Sequence, residues 1–403
     1  MKKIKIGVLK ETKNPPDKRV IFTPNQILEF YKQFPNVEIV VQNSKIRSFK
    51  DEEYEKLGIV LQENLDDCDI LMGIKEVKIS SLIQNKTYFF FSHTAKKQEY
   101  NKTLLQEILK KNIHLVDHEY LTYKNEERIV AFGYWAGIVG AYNGILAYGK
   151  RTGLYQIRRA YECFDKKELE KEVKKAKLPA IKILITGGGR VASGAVEIMN
   201  NLNLKKVSSY DFLNEKFEKA VFCQIGPEDY TKSIYGKDFD FQDFIKNPSL
   251  YENNFSKYSK VTDVFIPCHF WDPKSPLMLT NEIMSEKGFN ISIISDVSCD
   301  IKKPIASTLR SSSIEVPFYG YNVLRNAESI PFDLKNVTVV AIDNLPGELP
   351  RSASKDFGKT FFEEVIPALF DGDKDGIIER ASITKNGKLT KKYSYLQDFV
   401  DNK

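Results

Sequence analysis

The sequence predicts an α/β protein of two domains, each built on a parallel sheet with helices on both faces. Three observations carry this. Short β-branched or apolar runs alternate with amphipathic stretches through the first 120 residues, the alternation resumes at a glycine run near residue 187, and the chain has 403 residues. Alternation at this spacing means crossover units, and the length suits two domains of roughly 100–200 residues each.

In the first domain, strands are expected at "IKIGVLK" (4–10), "VEIVVQ" (37–42), "DILMGIK" (69–75), "TYFFFSH" (87–93) and "IHLVDHE" (113–119). "TPNQILEFYKQF" and "EYNKTLLQEILKKN" between them have the helical period. The opening "MKKIKIGVLKETK" is basic and then apolar, but its apolar stretch is too short for a signal peptide and charge returns at once. Residues 129–149, "IVAFGYWAGIVGAYNGILAYG", carry no charge over 21 positions and place Gly-xxx-Gly at Gly133/Gly137 and Gly140/Gly144. The length would suit a membrane-anchored subunit, but glycine and tyrosine are too frequent and Leu, Ile and Val too few. A buried helix whose glycines admit a close neighbour is expected instead.

Strands of the second domain are expected at "KILITG", "KVSSYDF", "VTDVFIPC", "NISIISDVS" and "VTVVAIDN", with residues 212–260 as an elaborated polar connection. After Asn344 the prolines of "LPGELPRSAS" lead into a helix that returns to the first domain. The expected boundaries are therefore 1–131 plus 345–403 for one domain and 132–344 for the other. "DGDKDG" at 371–376 resembles the start of a calcium loop, but the twelfth position is Ser382 instead of glutamate, so it is read as a turn.

The 60 basic and 54 acidic residues leave a net charge of +6, spread without a dense basic block, which argues against nucleic acid as a partner. Five cysteines, odd in number and set in apolar runs, read as reduced thiols of a cytoplasmic protein with no metal-ligand spacing.

"KILITGGGRVASGA" (182–195) is the informative motif. A glycine turn alone says little, but here a strand precedes it, a helix with small residues follows, and Asp211 closes the run "KVSSYD" 24 positions after Gly187. Gly187 permits the turn, Gly188 and Gly189 bring backbone toward a pyrophosphate, and Ala192 occupies the close-packed third position. Arg190 and Val191 open the helix whose N–H groups face the phosphates. Asp211 would bond both ribose hydroxyls and repel a 2′-phosphate, which favours NAD over NADP.

Lys75 and His93 end consecutive expected strands, so both project from the carboxyl edge where open sheets bind ligands. A partly desolvated lysine near other cations works as a base near neutrality, and histidine exchanges protons there with little adjustment. Together they suit deprotonating an amine as hydride leaves and handling the water that attacks the resulting imine. Arg19 and Arg128 are placed to clamp carboxylates bidentately. His114, His118 and His269 have no partner spacing and receive no role.

"GVLKETKNPPDKRVIFTP", "GIKEV", "FSHTAKKQ", "FGYWAG", the glycine fingerprint, "SDVSCD" and "IDNLPGELPRSAS" resemble, in order, the alanine dehydrogenase and saccharopine dehydrogenase superfamily. The branch most similar is the NAD-dependent, L-lysine-forming saccharopine dehydrogenases. The resemblance implies two Rossmann-like domains with parallel sheets flanking a cleft, and oxidative cleavage of saccharopine with NAD and water to lysine and 2-oxoglutarate, or the reverse. It implies Lys75 as general base and His93 as general acid. Arg19, Lys75, Gln98, Arg128 and Phe132 would contact substrate, and Asp211, the fingerprint, Asp296, Val297 and Ser298 would contact NAD. Three departures are visible: Glu127 precedes Arg128 where relatives tend to pair arginines, the fingerprint has Ala192 in its third position, and the 212–260 connection matches nothing in the family pattern. The lysine-consuming reductase shares much of the pattern but uses NADPH, against which Asp211 argues. The competing expectations are an alanine dehydrogenase and a catalytically silent NAD-binding partner. The partners implied are a small amino-acid substrate and no metal, nucleic acid or membrane, with homo-oligomerisation open.

Overall fold

The computed structural model describes residues 3–401. Two compact units divide the chain: Met1–Phe132 with Pro350–Lys403, and Gly133–Leu349.

The first unit carries six parallel strands, β1 (Ile4–Val8), β2 (Val37–Gln42), β3 (Val60–Gln62), β4 (Ile70–Met72), β5 (Thr87–Phe90) and β6 (His114–Asp117), extended by an antiparallel hairpin, Ser382–Lys385 and Lys388–Leu389. From the hairpin edge the order is β6, β5, β4, β1, β2, β3. β1 therefore lies between β2 and β4, and the chain direction across the sheet reverses there. Such a switch point opens a crevice at the carboxyl edge. The strands expected at 4–10, 69–75, 87–93 and 113–119 all end earlier than the sequence suggested. Their last residues peel off as loops, and the chemistry-bearing side chains stand on those loops.

The helix Pro24–Gln33 opens with a capping box between Thr23 and Gln26, then buries Ile27 and Phe30. Phe22, Phe30, Phe89 and Phe361 meet edge to face in the core, so the C-terminal segment is part of this unit. Ser354 Oγ accepts the Val20 N–H at 2.9 Å, and Arg351 bonds both oxygens of Glu53. In the turn at 371–376, the Asp373 carboxylate accepts the N–H groups of Ile378 and Glu379, capping the next helix.

The second unit has parallel strands β7 (Lys182–Thr186), β8 (Lys205–Lys206) and β9 (Val221–Ile225), then an antiparallel ribbon, β10 (Thr231–Ser233) with β11 (Tyr251–Asn253). It continues with β12 (Val264–Pro267), β13 (Ile293–Ser295), β14 (Phe318–Asn322), β15 (Ala327–Ser329) and β16 (Val337–Val340). The main sheet runs β15, β14, β16, β13, β12, β7, β9, β8, with β14 and β15 antiparallel. The expected connection at 212–260 contains β9 and the ribbon. Residues 345–349 were expected in the first domain but lie in the second unit, where the buried Glu348 accepts from Asn143 Nδ2 at 2.8 Å and Arg159 at 3.1 Å.

The charge-free run is the helix Gly133–Thr152, in which every residue from Gly137 to Gly149 is buried. It packs on the fingerprint helix Arg190–Asn201 through glycines. A Cβ on Gly137 would lie 1.8 Å from Val191 O, and one on Gly194 would lie 2.1 Å from Tyr134 O. Ser295 Oγ donates to Gly140 O at 2.7 Å, tying the same helix to β13. Among the described residues, no helix is long and apolar enough to cross a membrane.

Candidate active site

In the first unit, the loops leaving β1, β4, β5 and β6 bring a cluster of charges to one edge of the sheet. Lys75 stands three residues beyond β4, on a turn whose backbone is fully tied down. Glu11, just past β1, accepts the Ile74 N–H at 2.7 Å through one carboxylate oxygen and the Lys75 N–H at 2.8 Å through the other. His118 Nε2 lies 2.8 Å from Gly73 O. A carbonyl only accepts, so Nε2 carries the proton. Burial lowers this histidine to about 4 and keeps the ring neutral. Burial likewise pushes the Glu11 carboxyl up to about 8, helped by the neighbouring Asp17 and opposed by the two amides it receives and by Arg19.

The Lys75 amine is largely desolvated and lies close to the Arg19 and Lys13 charges, which together lower it to about 8 against the opposing pull of Asp17 and Glu76. This is the combination that makes a lysine a base near neutrality. Glu76 links it to the next strand: one oxygen lies 3.3 Å from Lys13 Nζ and the other 3.7 Å from His93 Nε2.

His93 stands three residues past β5 with φ of +54°, a left-handed conformation uncommon for a residue with a side chain. The loop is held by Asp117 at the end of β6, whose carboxylate accepts from Ser92 N at 3.1 Å and Ser92 Oγ at 2.5 Å. On its far side, His93 Nδ1 is 3.6 Å from Glu119. Burial alone would raise Glu119, but His93, Lys96 and Arg128 hold it down at about 2. The imidazole thus sits between two carboxylates.

The remaining substrate candidates differ from expectation in detail. Arg19 is buried, and its fork bonds Asp17, with Nε to Oδ1 at 3.0 Å and NH2 to Oδ2 at 2.6 Å. The Nε edge of the guanidinium is thus turned to Asp17. The Asp17 carboxyl, which burial would raise, is held well below its usual range by Arg19. Arg19 also stacks over Phe132 at 4.2 Å, and Phe132 stacks in turn on Phe357. Arg128 pairs with Glu119 at 2.5 Å and is otherwise half exposed. Gln98 is exposed, accepting from Tyr100. Glu11, Asp17, Glu76, Asp117 and Glu119 carry no motif spacing in the sequence, and His118 received no role there.

In the second unit, Gly187 has φ of +101°, and a Cβ there would meet Cys268 O at 2.9 Å, so only glycine serves. At Gly188 and Gly189 nothing lies within 4 Å of an added Cβ, so the backbone faces open space. Ala192 is fully buried, and the 12-residue helix Arg190–Asn201 starts at Gly189. A backbone cradle at a helix start fits a pyrophosphate.

One expectation here needs correction. Asp211 does not end a strand: β8 stops at Lys206, and Asp211 is the third residue of the helix Ser209–Asn214, its N–H donated to Ser208 Oγ. Asp296 is turned inward, accepting from Ser298 N and Oγ and from Cys299 N on one oxygen and from Thr308 Oγ1 on the other. Its carboxylate organises the loop after β13. Val297 packs against Gly140.

The chain is similar to known proteins along nearly its whole length. Residues 7–139 match the family described as alanine dehydrogenase/PNT, N-terminal domain. The saccharopine dehydrogenase [NAD(+), L-lysine-forming] of Yarrowia lipolytica is 24% identical, over 91% of each chain. The chain is thus similar to members of the alanine dehydrogenase and saccharopine dehydrogenase superfamily. Within it, an alpha-aminoadipic semialdehyde synthase of Arabidopsis thaliana is 27% identical over 97% of this chain but only 41% of its own length. The chain thus spans less than half of such relatives. An L-alanine dehydrogenase structure shares the fold, with a TM-score of 0.67 at 15% identity over 99% of both chains.

Proposed function

We propose that the chain is an NAD-dependent oxidoreductase that cleaves the secondary amine of saccharopine to L-lysine and 2-oxoglutarate, and that also runs the reverse condensation. The observation that carries this is the Lys75 amine, lowered to about 8 at the switch point of its sheet, with His93 on the adjacent loop. Relatives that match along nearly the whole chain bear the saccharopine dehydrogenase name.

The glycine cradle Gly187–Gly189 and the helix start at Arg190 would hold NAD, which when bound supplies the hydride acceptor. The chain's own residues move the protons. Neutral Lys75 Nζ takes the proton from the substrate's secondary amine. His93, held between Glu76 and Glu119, takes a proton from the attacking water and returns one to the departing amine. Saccharopine carries three carboxylates. The cations of the cluster that would meet them are Arg19, Arg128, Lys96 and Lys13, each of which also touches a carboxylate of the cluster.

The direct experiment offers the purified protein saccharopine, alanine or glutamate in parallel with NAD, and follows NADH. Turnover of saccharopine supports the proposal. Turnover of alanine alone moves the chain to the alanine dehydrogenase branch, and silence on all three with NAD bound points to a non-catalytic partner. Glu11→Ala frees both amides of the Lys75 turn and is expected to reduce turnover by about 10²-fold, the scale of a 1 Å misplacement. Steady-state kinetics beside an NADH titration checks this, since cofactor affinity should be unchanged.

A further inference from the structure

We propose that Glu228, and not Asp211, is the residue that reads the ribose of the nucleotide. The inference rests on the reading of the second unit as an NAD-binding domain. In such folds the acidic residue that bonds the ribose hydroxyls stands at the carboxyl end of the strand directly beside the fingerprint strand. By spacing along the sequence that strand is the run ending at Asp211. In the structure it is β9.

β9 pairs with β7 along its full length, Lys182 with Val221 through Thr186 with Ile225, whereas β8 pairs with the outer side of β9. The end of β9 is stitched to the first glycine of the fingerprint from both directions. Gly187 N donates to Ile225 O at 2.9 Å, and Gln224 Nε2 donates to Gly187 O at 2.9 Å. Asp211, on a helix that follows the edge strand, has a whole strand between it and β7.

Past β9 the chain runs Gly226, Pro227, Glu228. The Glu228 side chain folds back so that its carboxylate lies against Gly226: a Cβ there would be within 2.3 Å of Oε2. An exposed carboxylate therefore stands over the end of the strand beside the glycine turn. Two other charged side chains are fixed around it. Asp229 accepts the Gly226 N–H at 3.2 Å, and Lys206 Nζ donates to Gln224 Oε1 at 2.8 Å. A carboxylate in this place accepts hydrogen bonds from the 2′- and 3′-hydroxyls and repels a 2′-phosphate. The expected preference for NAD is thereby kept, with a different residue enforcing it.

The test is fluorescence titration of the full chain with NADH and with NADPH, which needs no substrate and no turnover. The wild type should prefer NADH. Glu228→Ala should weaken NADH about 10-fold or more, the scale of a hydrogen bond to a charged group, and narrow the preference. Glu228→Arg should reverse it, and Asp211→Ala should leave both dissociation constants within about twofold. Glu228 is exposed and Asp211 half-buried on the outer helix, so unchanged melting temperatures are expected and are measured alongside. A shift in preference with Asp211→Ala and none with Glu228→Ala would overturn the assignment, as would a wild type that prefers NADPH. Binding of neither nucleotide by the wild type would bring down the dinucleotide reading itself, and this inference with it.

Discussion

Lys75→Met is expected to lower turnover by about 10² or more, the usual scale for lost acid–base catalysis, while cofactor binding and folding persist. Methionine keeps the length and apolar stem of the side chain but cannot accept a proton. The expectation follows from the amine's surroundings. Desolvation, with Arg19 and Lys13 nearby, lowers it to about 8, so a useful fraction is neutral at pH 7 to 8. An ordinary exposed lysine would be almost entirely charged there. His93→Gln should give a loss of similar size, because glutamine keeps a polar group between Glu76 and Glu119 but cannot carry the proton. Steady-state kinetics with saccharopine checks both, and near-normal rates in both variants would remove the assigned roles.

Gly137→Val is expected to have the largest effect on the second unit. A Cβ at Gly137 would lie 1.8 Å from Val191 O and 3.0 Å from Ala195 N, and both are helix backbone that cannot rotate away. The two helices would have to separate, and overpacking of this kind costs about 2–3 kcal/mol. For a unit of this size the melting temperature should fall by roughly 5–10 °C. Val191 belongs to the first turn of the fingerprint helix, so NADH affinity should fall as well. Gly194→Ala presses on the same contact from the other side, at 2.1 Å from Tyr134 O, and should behave alike. Thermal melts of the two variants that match the wild type would show that the glycines are not there for close approach.

What could be read in the sequence was local. β2 is found at the expected 37–42, and the carboxyl-edge placement of Lys75 and His93 follows from apolar runs that end in a polar residue. The charge-free run could be read as a close-packed helix because its glycines recur at helical spacing. The loops that complete the site could not be read. Glu11 and Lys75 lie 64 residues apart and meet only because β1 and β4 are neighbours across the switch point. His118 had no partner at motif spacing because its partner is the carbonyl of Gly73, and backbone groups leave no mark in a sequence. Asp211 shows the opposite failure. Its distance from Gly187 suits the dinucleotide pattern, yet strand order is a long-range property, and β9 rather than β8 pairs with β7.

The claim on which the account turns is that Lys75 acts as a base because the fold lowers its proton affinity. The most direct measurement is the pH dependence of kcat/KM for saccharopine oxidation with NAD. The active form is the neutral amine, present above the lowered value and lost below it. The profile should therefore be level above about pH 8 and fall about tenfold per pH unit beneath it, far below the range of an ordinary lysine near 10.4. A basic limb that keeps rising to pH 10, or the same limb retained in Lys75→Met, would contradict the account.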